Sequence, residues 1–350
     1  MNINHMKGVK VMKKLLCLMM SLLLVAALFV GCAQKEDSKT DVPQNSEQKS
    51  EDNVSNDEIY VAVISKGFQH EFWQTVKLGA DTAGKELGIK VTFEGPKDES
   101  MVAEQVAMVE NAIAKKADAI LLAALDTEAL VPVVEKAHDA GIPVLMFDSN
   151  VNSDIPLSFV ATDNVAAGAL AAKEMAKMIG GKGKIGIIAH NEGTSTAIER
   201  RDGFKNEIEK NYPDIEIVGI QYSDGDHAKA LAKATDMMTR TPDLAGIYAT
   251  NEGSAIGVAT AVQEKDKAGQ VKVVGFDSSE AEINFLKNDV IQGFVVQNPF
   301  KMGYLGVKGC YDAIKGNPVE SRIDTGATFV SKDNLDTEEV QKLLYPLGKK

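Results

Sequence analysis

The chain is poor in cysteine, in tryptophan and in net positive charge. It has three cysteines in 350 residues, and two of them, Cys17 and Cys32, sit close to the N-terminus. Cys310 alone remains beyond, so no intramolecular disulfide can hold the body together; in an apolar-periodic helix it reads as a core thiol. Histidines 70, 138, 190 and 227 are scattered, and no cysteine or histidine cluster has zinc-ligand spacing. There are 38 basic against 50 acidic residues, a formal charge of -12. Lys7, Lys10, Lys13 and Lys14 precede Cys32 with no acid among them, so the rest of the chain stands at -16. Such a surface repels phosphate backbones and excludes nucleic acid as a partner. There is no phosphate-cradling P-loop and no Gly-x-Ser-x-Gly elbow. Gly181-Lys182-Gly183-Lys184-Ile185-Gly186 fits the letters of the dinucleotide fingerprint, but it precedes a strand instead of following one and reads as a turn. The long apolar run, residues 15–30, is shorter than the roughly 20 residues a spanning helix needs.

That run has a different meaning. Lys13-Lys14 precedes it and Gly31-Cys32 follows, the order of a secretory signal. A cysteine directly after the small residue resembles the bacterial lipoprotein signal, with Phe29 where that pattern usually has Leu. The resemblance implies that residues 1–31 are removed and that a lipidated Cys32 begins the mature protein. Residues 33–56 hold almost nothing apolar and read as a disordered tether. A chain of that length has a root-mean-square reach of roughly 25 Å.

From Glu58 onward the pattern alternates. Apolar, Val/Ile-rich strands at 59–65, 91–94, 119–122 and 144–147 are separated by amphipathic helices at 72–87, 102–114 and 130–140. The second half repeats the rhythm, with strands at 185–189, 215–221, 246–249 and 271–276. Continuous apolar strands between helices mean buried parallel sheets, so the class is α/β, and the length suggests two domains. A quiet repeat links the halves: one strand ends Leu145-Met146-Phe147-Asp148-Ser149, another Val274-Gly275-Phe276-Asp277-Ser278. Aspartates at matching strand ends suit a two-lobed clamp, because ligands of open α/β sheets bind outside those ends. The alternative is that each aspartate merely N-caps a following helix.

Further motifs lie in order: Val63-Ile64-Ser65, Glu71-Phe72-Trp73, Gly141 to Asp148, Ala161-Thr162-Asp163-Asn164, Gly193 to Phe204, Ala249-Thr250-Asn251 and Val274 to Asp277. In this order and at these spacings, residues 57 to about 333 resemble the ribose-type (type I) periplasmic binding proteins of bacterial ABC importers. The resemblance implies two doubly wound parallel-sheet lobes joined by a three-crossover hinge. The lobes would be 57–162 plus 298–326 and 163–297 plus 327–345. It implies capture of a monosaccharide or polyol between them and delivery to ABC permease and ATPase subunits. It further implies a monomer with no cofactor and no enzymatic activity, held at the extracytoplasmic face of the cell membrane by its lipid alone. Phe72 and Trp73 would sandwich a sugar ring, although as neighbours they cannot face the same way. Asp148 and Arg200 would hold hydroxyls from opposite lobes, with Asn251, Asp277 and Gln297 completing a polar ring. Arg200 could instead be a surface charge, like Arg201 beside it, and Gln297 a hinge residue.

The departures matter as well. Ser149 stands where ribose binders have arginine, and Gly225 where an aromatic is expected. The loop 66–70 is one residue longer, so the pocket is not expected to be a ribose pocket. Lys66, Asp148 and Phe93-Glu94-Gly95-Pro96 match places used by autoinducer-2 receptors, which keeps a furanose receptor as an alternative, beside a chemosensory sugar receptor. A sugar-responsive repressor would need an N-terminal helix-turn-helix in place of the leader.

Overall fold

The computed structural model describes residues 58–346; the leader, Cys32 and the tether lie outside them. The first half runs β1 (Tyr60–Ile64), α1 (Glu71–Leu87), β2 (Lys90–Glu94), α2 (Val102–Ala114), β3 (Ala119–Leu122), α3 (Val131–Asp139), β4 (Val144–Phe147) and β5 (Phe159–Ala161). Then come α4 (Asn164–Met178), β6 (Gly183–Ala189), α5 (Ser195–Asn211), β7 (Ile215–Tyr222), α6 (His227–Arg240) and β8 (Leu244–Ala249). The chain ends with α7 (Glu252–Glu264), β9 (Lys272–Phe276), α8 (Glu280–Lys287), β10 (Gly293–Gln297), α9 (Pro299–Ile314), β11 (Arg322–Asp324), β12 (Ala327–Val330) and α10 (Glu338–Leu344).

Two six-stranded sheets result, ordered β11-β5-β4-β3-β1-β2 and β12-β10-β9-β8-β6-β7. All pairings are parallel except that of β10 with β12. The halves share one winding, β2-β1-β3-β4-β5 and β7-β6-β8-β9-β10. The repeat seen at two strand ends therefore extends through both sheets.

Burial explains the lack of alternation in the strands. Every residue of β3 (Ala-Ile-Leu-Leu) and β4 (Val-Leu-Met-Phe) is buried, because helices cover both faces. In the first sheet Val61, Val63 and Leu121 pack with Trp73, Val76, Met302 and Cys310 on one side. Ala62, Ile64, Ile120 and Leu122 pack with Val109 and Val134 on the other. The second sheet is layered in the same way, with Ile185 and Ile187 against Phe204, and Ile188 and Ile247 against Val258. Each such side chain contributes about 1.5–3 kcal/mol by leaving water. Cys310 belongs to this core, and burial pushes its thiol well above the usual range.

The chain changes sheet three times: between Ala161 and Asn164, between Gln297 and Pro299, and between Asp324 and Ala327. After the second change α9 lies on α1 and the first sheet. Glycines set that closeness: a Cβ on Gly79 would meet Phe300 O at 2.1 Å, and one on Gly303 would meet Val76 O at 2.0 Å. The same device recurs between α4 and α5, where a Cβ on Gly168 would lie 2.3 Å from Arg200 O and one on Gly203 would lie 2.2 Å from Val165 O. Helix starts are capped by Asp163, Asp226, Asn251, Ser279 and Thr337, among others. Neither Asp148 nor Asp277 is the N-cap of a helix following it; both instead adopt positive φ at their strand ends. Among the described residues no helix is long and apolar enough to cross a membrane.

Candidate ligand-binding site

The carboxyl ends of the strands in both sheets meet around one small cavity of about 20 Å³, room for about one water molecule. All eight residues picked out in the sequence line it: Lys66, Phe72, Trp73, Asp148, Arg200, Asn251, Asp277 and Gln297. Three more line it that sequence reasoning passed over: His70, Glu99 and His190.

Arg200 is the centre of the polar network. It projects from α5, is 3% exposed, and is the opposite of a surface charge. Its Nε donates to Asn164 Oδ1 at 2.8 Å and its Nη1 to Thr250 O at 2.9 Å. Its plane stacks on Phe276, 3.8 Å from the ring centre. Nη2 is 4.0 Å from Asp148 Oδ1, and Nη1 is 3.9 Å from Asp277 Oδ2. Arg201 next to it points away, bound to Asp202 and Tyr222.

Asp148 has a second cation, Lys66 Nζ at 2.9 Å, which also donates to Thr196 Oγ1 at 3.1 Å. Asp277 accepts from Gln297 Nε2 at 2.7 Å and from Glu252 N at 3.2 Å. Burial nevertheless raises its carboxyl above the usual range, against the pull of Arg200. Gln297 is buried at the end of β10, where the chain leaves the second sheet, so its cavity and hinge positions coincide. Its Oε1 has no hydrogen-bond partner among the described residues. Asn251 spends its side-chain oxygen on Ser254 N at 2.9 Å, which leaves its amide N–H₂ as the group to offer a ligand.

The aromatic pair departs from the expected sandwich. The rings of Phe72 and Trp73 are perpendicular, 89° apart in plane, with centres 4.9 Å apart. No sugar ring fits between rings that touch. Consecutive residues of α1 point about 100° apart around the helix, which is why the two cannot stand face to face. Trp73 is locked further by its Nε1 donating to Glu99 Oε1 at 2.9 Å and by packing edge-on against Phe147. Both rings form one wall of the cavity.

The histidines differ in their satisfaction. His190 contacts Thr250 Oγ1 at 2.7 Å and Thr196 Oγ1 at 3.0 Å; burial, then Lys66 and Arg200, hold it far below its usual pKa. It is a neutral scaffold. His70 is 3% exposed, yet among the described residues neither ring nitrogen has a hydrogen-bond partner. Glu99 Oε1 and Glu252 Oε1 lie 3.8 Å from its two nitrogens. Burial lowers its pKa despite the nearby Glu99. The signal available in the sequence was position: His70, Glu99 and His190 follow β1, β2 and β6, the same strand ends that hold the other groups.

Of the departures from ribose binders, Ser149 is buried with its Oγ bound to Ala124 O at 2.7 Å. Gly225 has φ 68° and its carbonyl lies where a Cβ on Gly253 would fall, at 1.8 Å.

Comparison with known proteins agrees with this architecture. Residues 61–318 match the model of the periplasmic binding protein domain. A D-ribose/D-allose-binding protein of Pseudomonas aeruginosa is 32% identical over 272 residues, 75% of this chain and 85% of that one. An ABC transporter solute binding protein of Agrobacterium vitis with bound D-fucose is 42% identical, with a TM-score of 0.79 over 82% of this chain and 100% of that one. A carbohydrate transporter solute binding protein of Agrobacterium radiobacter in complex with D-arabinose is 35% identical, with a TM-score of 0.80 over 83% and 99%. With the doubly wound lobes and the domain match spanning most of the chain, this protein belongs to the periplasmic binding protein family.

Proposed function

We propose that this chain is the extracytoplasmic sugar-binding component of an ABC importer, and not an enzyme. It closes its two lobes on a neutral monosaccharide or polyol and presents the closed form to the permease. The observation that carries this is the Asp148–Arg200–Asp277 arrangement, in which acids from two sheets face one guanidinium in a shared cavity. Vicinal hydroxyls both donate and accept, so carboxylates, an amide and a guanidinium answer them with charge-assisted hydrogen bonds. The C–H faces of a sugar suit the Phe72–Trp73 wall.

The charges argue for a neutral ligand. Lys66 is held by Asp148 and Thr196, and Arg200 by Asn164, Thr250 and two acids. A sugar acid or phosphate would find no uncommitted cation and would meet Glu99 as well. The relatives' named ligands, D-ribose, D-allose, D-fucose and D-arabinose, are neutral monosaccharides.

The same reading places the lobe boundaries at 57–162 plus 298–326 and 163–297 plus 327–345. It makes the protein a monomer, anchored through lipid on Cys32. Capture at micromolar affinity needs about 8 kcal/mol. The test is a thermal-shift screen of pentoses, hexoses, polyols, inositols and sugar acids, followed by calorimetry. Binding of a neutral sugar to wild type, lost in Asp148→Ala, supports the reading. No stabilisation by any member, or preference for sugar acids, overturns it.

A further inference from the structure

The first turn of α1 has unusual partners. His70 sits at its N-cap position, but its side chain caps nothing. The first two N–H groups of the helix, which no intrahelical carbonyl can serve, donate across the cleft. Glu71 N donates to Glu252 Oε1 at 3.1 Å and Phe72 N to Glu252 Oε2 at 3.2 Å. Glu252 opens α7 on the second sheet, whereas α1 belongs to the first. The exchange is reciprocal. Glu71 Oε2 accepts from Glu280 N at 3.3 Å, and Glu280 opens α8 on the second sheet. Two helix starts, one from each lobe, thus receive a carboxyl group from the facing lobe, where helix dipoles favour acids.

The latch is tied to the cavity on both of its walls. Phe72, held by the Glu252 side chain, is part of the apolar wall. Asp277, held by the Glu252 backbone N–H, is part of the polar ring. Neither Glu71 nor Glu252 lines the cavity itself. We propose that Glu252 and Glu71 are positioning residues for ligand capture: they form a reciprocal latch between lobes that favours the closed form and sets the Phe72 wall without touching the ligand. The proposal rests on the reading of the chain as a two-lobed sugar trap. These contacts form only when the lobes meet, so they bias the open–closed equilibrium, and apparent affinity scales with the fraction of closed, competent protein.

The test uses the full chain and its Glu252→Ala, Glu71→Ala and Glu252→Gln variants, with D-fucose and D-arabinose as probes. Each alanine variant is expected to weaken binding about 5- to 50-fold, mainly by faster dissociation. The preference between the two sugars is expected to stay as in wild type. Glu252→Gln, which keeps one acceptor but sets an N–H₂ donor against the second N–H, is expected to recover only part of the loss. Small-angle scattering of the ligand-free protein is expected to show a larger radius for Glu252→Ala than for wild type. Unchanged affinity in both alanine variants overturns the latch. A changed sugar preference also overturns it, because Glu252 would then contact the ligand. If neither probe binds wild type, the sugar reading is in question and the latch is judged by scattering alone: an equal radius overturns it, a larger one supports it.

Discussion

Asp148 and Asp277 end strands of different sheets in the same left-handed conformation, φ 54° and 75°, and reach one guanidinium, Arg200, from opposite sides. Positive φ is uncommon outside glycine, with aspartate among the residues that tolerate it. The turn swings each carboxylate off the strand axis and into the cleft. Two acids converging on one space repel, and Arg200 offsets that repulsion.

Removing Arg200 therefore affects more than one contact. Arg200→Ala leaves both acids buried and short of their shared cation. Each lost charged hydrogen bond to a ligand should cost about 2–3 kcal/mol, or roughly 30- to 150-fold in affinity. Asp277→Ala should fall within that range, and Arg200→Ala at or beyond its upper end. Arg200→Lys should not rescue, because one ammonium cannot reach Asn164 Oδ1 and Thr250 O together while stacking on Phe276. Calorimetry with the best sugar of the screen checks all three. Unchanged affinity in both alanine variants would remove these residues from the site.

The pH dependence of binding should carry a signature of Glu252. Burial pushes its carboxyl up to about 8, against the two N–H donors from α1 and with help from Asp277 and Glu71. Glu282 and His70 also face this cluster, and Arg200 stands behind Asp277. In an open protein the group is nearer its ordinary 4.5. The closed form thus holds the proton more tightly, so closing takes one up. Its contribution is full below pH 4.5 and is lost as the pH rises through about 8. The buried histidines act oppositely below about 6.5, which is why the comparison must be made against a variant. Glu252→Gln cannot titrate, so its affinity relative to wild type should rise from pH 5 to pH 9, with the gap changing by at most about tenfold per pH unit. Parallel profiles for the two proteins would show that Glu252 does not titrate with closure.

Much of this was legible in the residues, and the gaps have physical causes. Val/Ile-rich strands without alternation gave away two parallel sheets, because burial on both faces leaves no polar side. The Phe-Asp-Ser repeat at Asp148 and Asp277 pointed to matching strand ends, and Arg200 followed from the resemblance. The geometry of Phe72 and Trp73 was not legible, since adjacency in a helix says that two rings diverge but not which wall they build. His70 and Glu99 were hidden for another reason. Their roles depend on which loops converge at the cleft, and single histidines or glutamates in loops carry no spacing signal. Glu252 was masked by Asn251 beside it, because its partners lie 180 and 181 residues away in sequence.

Anchoring can be checked without any sugar. Gly31-Cys32 after the apolar run predicts that Cys32→Ala abolishes lipid attachment. Fractionated cells should then show the variant released from the membrane or retained as a longer, uncleaved form. A variant equally membrane-bound and equally sized would end the lipoprotein reading.

The glycine contacts between α4 and α5 make the last expectation specific to one lobe. A Cβ on Gly203 would lie 2.2 Å from Val165 O, a backbone atom that cannot swing aside. Gly203→Ala must push α5 from α4, and Arg200 sits one turn earlier on α5. Overpacking of this kind costs about 1–3 kcal/mol, roughly 2–10 °C in melting temperature. Gly203→Ala should weaken sugar affinity at least tenfold at a temperature where it is still folded. Gly219→Ala, with open space around the added carbon, serves as the neutral control and should stay within a few fold of wild type. Calorimetry at 15 °C beside thermal unfolding separates the effects. Equal affinities for Gly203→Ala and Gly219→Ala would mean that the α4–α5 contact does not set the position of Arg200.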